Sequence, residues 1–160
     1  MKEQKTNVMR ILEQKKIPYS MHEYPHGEGP IDGITVAALT GQDPACVFKT
    51  LVTVGASKTN YVFVIPVAAE LDLKKAAKAV GEKSIAMIHV SEIAPLTGYV
   101  RGGCSPVGMK KQLKTVFHCS AGQIDHILVS AGKIGLQIET APQNLISLVR
   151  GITADIICEE

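Results

Sequence analysis

At 160 residues the chain suits one domain, long enough to bury a core without help from disulfides or metal. Lys plus Arg number 17 against 15 acids, a formal charge of +2 with histidine neutral, far from the strongly basic balance typical of nucleic-acid-binding domains. With no Trp and 4% aromatic residues, broad stacking on single strands is excluded, so a nucleic acid would have to be held through its phosphates, its shape and a terminal group. No apolar run nears the roughly 20 residues that span a bilayer. The opening MKEQKTNVMRILEQKK lacks the apolar centre of a signal peptide, which implies a cytoplasmic protein with no membrane partner. Cys46, Cys104, Cys119 and Cys158 have no CxxC pairing and read as small core residues.

In chain order, Thr6 or Asn7 caps a first helix with an apolar stripe of Val8, Met9, Ile11 and Leu12, ended by Ile17-Pro18. Tyr19 to Tyr24 alternates as a strand, and 26–33 is loop. Val36 to Leu39 suggests a short helix closed by Gly41 and Asp43-Pro44. Val47 to Val54 and Tyr61 to Pro66 are β-branched runs joined by a turn-rich segment, a hairpin. Leu71 to Val80 predicts a helix stopped by Gly81. A shorter helix starts at Ser91, whose side chain can cap it, and stops near Gly98. Tyr99 to Met109 is glycine-rich loop or strand edge. Thr115–His118, Ile127–Ser130 and Leu136–Glu139 read as strands. Pro142 opens a helix to Arg150, and a strand at Asp155–Ile157 closes the chain. Strands and helices do not alternate regularly, so the fold expected is α+β: a mixed, curved sheet or partly closed barrel flanked by helices. No repeat or linker divides residues 1–160.

His22-Glu23-Tyr24-Pro25-His26 matches the H-E-x-x-H zinc pattern in letters only. That pattern needs a helix to bring both histidines to one face, and Pro25 with Gly27, Gly29 and Pro30 forbids one. No metal or other cofactor is expected. Lys49 is the better signal. In a strand, Val47, Lys49 and Leu51 share one face while Phe48, Thr50 and Val52 share the other. A lysine between Val and Leu must snorkel, pair with a carboxylate or await an anion.

The loop Gly102-Gly103-Cys104-Ser105-Pro106-Val107-Gly108 can bring backbone N–H groups close to a ligand. Such donors can stabilise the oxyanion formed when an ester carbonyl is attacked. Ser105 and Cys104 are nucleophiles on paper, but no His/Asp constellation accompanies them, and this is no G-x-S-x-G elbow. A structural turn is the alternative. Ser130-Ala131-Gly132-Lys133-Ile134-Gly135 lacks phosphate-loop spacing and reads as a hairpin turn. Lys74, Lys75, Lys78, Lys110, Lys111 and Lys114 are solvated faces that could also track an RNA backbone.

Taken together, Thr6–Arg10, His22–Tyr24, Val47–Val52, Pro66–Lys75, Leu96–Lys111, Val129–Lys133 and Gly135-Leu136 resemble, in order and spacing, the YbaK/EbsC family of aminoacyl-tRNA deacylases. These are relatives of the editing domain in bacterial prolyl-tRNA synthetases. The resemblance runs over essentially the whole chain and implies a curved mixed sheet or pseudo-barrel. It also implies hydrolysis, in trans, of the ester on a mischarged tRNA, above all cysteine on proline tRNA. The implied partners are that aminoacyl-tRNA and a prolyl-tRNA synthetase.

The family's essential lysine falls on Lys49, its neighbouring threonine on Thr50, its site tyrosine on Tyr24 and its pocket serine on Ser130. Its glycine loop falls on Gly102, Gly103, Ser105, Pro106 and Gly108. Three positions depart from the pattern. Gln137 replaces an aspartate of the YbaK branch, Ile134 replaces a basic residue, and Ile31-Asp32-Gly33 stands where a pocket aromatic is common. The competing expectation is a non-catalytic module of the same fold that binds tRNA or a synthetase.

Overall fold

The computed structural model describes residues 5–25 and 33–158; His26, Ile31 and Asp32 lie outside them. Helix α1 (Asn7–Gln14) is capped by Thr6, whose hydroxyl accepts from the Met9 N–H, and it buries Val8, Met9 and Leu12. Strand β1 (Ser20–Glu23) follows, then α2 (Gly33–Thr40). The hairpin expected from the β-branched runs is β2 (Phe48–Gly55) and β3 (Asn60–Pro66), antiparallel with Lys49 opposite Ile65 and Thr50 opposite Val64. Helix α3 (Leu73–Val80) starts two residues later than Leu71, because Asp72 accepts the N–H groups of Lys74 and Lys75 and so fixes the cap. Gly81 ends it in the left-handed conformation.

Strand β4 (Ile85–Met87) was not legible in the sequence; it is three residues long and extends the sheet beside Thr53–Gly55. Helix α4 (Val90–Thr97) is capped by His89, not Ser91. The His89 ring accepts from the Ser91 N–H, and Glu92 reaches back to the His89 N–H in a capping box. Strands β5 (Lys114–His118), β6 (Ile127–Ser130) and β7 (Leu136–Thr140) fall where the apolar runs put them. A 3-10 turn, Cys119–Gln123, leads out of β5, and α5 (Pro142–Leu148) begins at its proline. The last strand, β8, is Ile152–Ala154 rather than Asp155–Ile157. It pairs parallel to β5, while Asp155 turns to Lys75 and only Ile157 bridges back to Leu71.

Two sheets result, a three-stranded antiparallel β1-β7-β6 and a five-stranded mixed β4-β2-β3-β5-β8. They touch through an isolated bridge between Val47 and Leu128, with the Leu128 N–H donating to Cys46 O at 2.8 Å, so the expected mixed fold is two abutting sheets rather than a closed barrel. The larger core packs α1 and α5 against both sheets, with Phe48, Val64, Phe117, Val129 and Ile138 among its members. A second core lies under α3, around Phe63, Ile65 and Val116. A small third cluster, Ala37, Val47, Val67 and Leu128, fills the corner where the sheets meet. That corner positions the site.

Candidate active site

Strand pleat sets the first wall of the site. Ser130 and His22 are both register partners of Gln137, so the three form a row on one face of the three-stranded sheet. Tyr24 lies two residues beyond His22 on the same side, its N–H donating to Gly135 O. Along β7, Glu139 shares that face with Gln137. Its carboxylate meets His22 Nε2 at 2.6 Å and His126 Nε2 at 3.3 Å, which fixes the row's outer end.

The second wall is the start of β2. There, among the described residues, the strand's ladder partner is β3, since the β4 ladder reaches no further than Thr53. Residues 48–51 thus run along a sheet edge among the described residues, with one side of their backbone unpaired by β4. Lys49 and Thr50, which alternation sends to opposite faces, both line one cavity of about 560 Å³. Tyr24, Ser130, Gln137 and Gly102 line it too, and Val36, Phe48, Leu51 and Val67 supply its apolar wall. The Lys49 ammonium makes no hydrogen bond or ion pair among the described residues. Among the described residues, the charged ones lining the cavity are Lys49 and Arg101, both cations.

The glycine loop divides. Gly102, exposed and in the left-handed conformation, lines the cavity. Gly103, Ser105, Pro106 and Gly108 do not reach its wall. The Gly103 N–H is spent on Val100 O at 3.0 Å, so it is no free donor for an oxyanion. A Cβ at Gly103 would sit 3.0 Å from Ile134 N and 3.2 Å from Lys133 C, so this glycine is what lets the two loops touch. Ser105 is fully buried, its hydroxyl accepting from the Val107 N–H, and it is no exposed nucleophile. Gly108 and Gly132 both press on Tyr99. Ser130 also serves the turn, accepting from the Gly132 N–H at 3.1 Å.

Cys104 does line the cavity, but burial pushes its thiol up to about 11, which keeps it protonated and poorly nucleophilic at neutral pH. His22 belongs to a strand, so the helical logic of the zinc pattern has no footing. Among the sequence-level lysines, Lys75 is tied to Asp155 and Ile157 O, while Lys74, Lys78, Lys110, Lys111 and Lys114 are exposed. Sequence reading passed over Arg101 and the apolar wall. Arg101 could have been found beside Gly102; Val36 and Val67 are distant in sequence and carried no signal.

Comparison with known proteins then decides the family. The aminoacyl-tRNA editing domain profile matches residues 32–148, and a protein of Enterococcus faecalis is 48% identical over 158 residues, 99% of this chain and 96% of that protein. The chain belongs to the aminoacyl-tRNA editing-domain family. Its activity is that of the family, hydrolysis of the ester between an amino acid and tRNA. The Enterococcus protein is described as a Cys-tRNA(Pro)/Cys-tRNA(Cys) deacylase, EbsC. A solved structure described as a trans-editing enzyme for prolyl tRNA synthetase superposes with a TM-score of 0.81 at 23% identity, covering 98% of this chain and 100% of that one. The hypothetical protein APE2540 superposes at 0.85 with 20% identity, covering 96% and 100%. At those identities the two structures speak for the fold. Among the described residues, no helix is long and apolar enough to cross a membrane.

Proposed function

We propose that this deacylase removes cysteine from proline tRNA, acting in trans in the cytoplasm beside a prolyl-tRNA synthetase. The description of the 48% identical relative supports the substrate. The observation that carries the reading is Lys49, a cation without a partner among the described residues, set in the wall of a cavity it shares with Gly102, Thr50, Ser130 and Gln137.

An aminoacyl ester is already activated, so a site needs little beyond positioning and stabilisation of the oxyanion. Lys49 takes the phosphate or ribose of the terminal adenosine, and the Gly102 N–H faces the ester carbonyl. Tyr24, Ser130 and Gln137 hold the aminoacyl group. Attack by water, or by the substrate's own thiol, forms the tetrahedral oxyanion; its collapse expels the ribose oxygen, which takes up a proton. Gly103, Ser105, Pro106 and Gly108 act behind the wall, by shaping the loop that presents Gly102.

The direct test is deacylation of Cys-tRNA(Pro), with and without prolyl-tRNA synthetase, alongside a binding measurement. Turnover is expected. Tight binding without turnover would instead support a non-catalytic module, the outcome for which Gln137, in place of the branch's aspartate, is the reason to look.

A further inference from the structure

Cross-strand geometry makes one contact behind the cavity wall unexpected. His22 stands directly opposite Gln137, while Glu139 stands opposite Ser20, one step along the same face. Directly opposed side chains start about 4.5–5.5 Å apart at Cβ, and diagonal ones about 7–8 Å. Gln137 is thus the nearer partner for the His22 ring, and its Oε1 is buried without a hydrogen bond among the described residues. The ring nevertheless passes it over and reaches the diagonal Glu139, Nε2 to Oε1 at 2.6 Å.

Charge explains the choice. A carboxylate only accepts, so His22 Nε2 carries the proton of that bond. A hydrogen bond to an ionised acceptor is roughly twice as strong as one between neutral groups, such as an imidazole N–H and an amide oxygen. With side chains 27% and 23% exposed, His22 and Glu139 are sheltered enough from water for that preference to count. The carboxylate is also held in place from its other side, where Oε2 lies 3.3 Å from His126 Nε2. Two rings therefore grip one carboxylate, and neither is left over for Gln137 Oε1.

We propose that Glu139 is a positioning residue: by holding the His22 ring along β7, it keeps the Gln137 amide free for a ligand in the cavity. The inference rests on the reading above in which Gln137 helps to hold the aminoacyl group. Without the carboxylate, the His22 N–H has the unpaired Gln137 oxygen directly opposite. Their bond would tie up an amide that now lines the cavity. Glu139 is not among the described residues of that lining, so it acts through His22 and not on the substrate.

The test measures kcat and KM for Cys-tRNA(Pro) deacylation, with melting temperatures, in the wild type, Glu139→Ala, His22→Phe and the double variant. Glu139→Ala is expected to raise KM by roughly 2- to 10-fold, the worth of one neutral hydrogen bond, and to change kcat less. His22→Phe removes the competing donor and should leave KM near that of the wild type. Added to Glu139→Ala, it should restore KM. A bridge that only stabilised the fold would be lost in either single variant and not regained in the double. Glu139→Gln, equal in shape but uncharged, should fall between Glu139→Ala and the wild type, and it carries the same test if Glu139→Ala does not fold. An unaltered KM in the Glu139 variants, an equal loss in His22→Phe, or a double variant no better than its Glu139 parent would each overturn the proposal. Wild-type KM in Gln137→Ala would instead remove the role of Gln137 on which it rests, and a wild type that hydrolyses no aminoacyl-tRNA would remove the hydrolase reading itself.

Discussion

The Tyr99 hydroxyl donates a 2.6 Å hydrogen bond to the carbonyl of Val107, and so ties the chain just past the Gly98 cap of helix α4 to the far end of the glycine loop. The same ring fills the space that a Cβ on Gly132 would need, 3.0 Å from Tyr99 Cε1, and its oxygen lies 3.0 Å from the Cβ position of Gly108. One side chain thus sets the height of both loops beside the cavity. Burial pushes its phenol up to about 12, so it remains a donor throughout the working pH range. Tyr99→Phe leaves the Val107 carbonyl unpaired and should cost about 1–3 kcal/mol of stability, read by denaturant unfolding. It should also lower kcat for deacylation, whereas an unchanged kcat would show that the loops keep their places without the bond.

Gly103→Ala tests the contact between those loops from the other side. A methyl 3.0 Å from Ile134 N meets backbone, which cannot swing away as a side chain can. Overpacking of this kind costs about 1–3 kcal/mol. The displaced loop should carry Gly102 out of line, so deacylation should fall more than the melting temperature suggests.

Lys49→Ala should leave the fold intact, because the lysine has no partner among the described residues to lose. A charge-assisted hydrogen bond to substrate is worth about 1.5–3 kcal/mol, which is roughly 10- to 150-fold in kcat/KM. Lys49→Arg keeps the charge but not its compact shape and should recover little. Wild-type turnover by Lys49→Ala would sink the assignment of this cavity as the active site.

Cys104→Ala should retain deacylation within a few-fold. A thiol pushed up to about 11 by burial is a poor nucleophile at pH 7, so iodoacetamide should label exposed Cys119 and Cys158 well before Cys104. Inactivation in step with Cys104 labelling would point to a thiol mechanism.

His118 gives the stability a pH dependence away from the cavity. Burial holds its imidazole below the usual 6.5, opposed by Asp155 and reinforced by Lys75, and its Nδ1 accepts from the Ile156 N–H. Cys119 Sγ lies 4.0 Å from Nε2. Protonation costs that hydrogen bond and charges a buried ring. The unfolded state therefore binds the proton more readily, and stability rises with pH across the window. The contribution is present above pH 6.5 and is lost as pH falls from there through the lower folded value. Melting temperatures at pH 7.5, 6.5 and 5.5 should fall more steeply for the wild type than for His118→Gln.

Local chemistry in the sequence settled much of this protein. The β-branched runs around Lys49 made the β2–β3 hairpin, Gly81 stopped α3, Pro142 opened α5, and the ordered motifs from Tyr24 to Gln137 pointed to the family. These depend on neighbours a few residues apart, which periodicity and turn chemistry report. Tertiary structure decided the rest. Alternation sends Lys49 and Thr50 to opposite faces, yet both line one cavity, on the stretch of β2 that β4 does not cover. Gly102 and Gly103 are adjacent and chemically identical, but one lines the cavity while the other gives its N–H to Val100 and its missing side chain to the Lys133–Ile134 backbone. The apolar wall joins Val36, Phe48 and Val67 from three parts of the chain. Which edge stays unpaired and which backbone lies against a glycine follow from long-range strand pairing, and no short window of sequence contains that information.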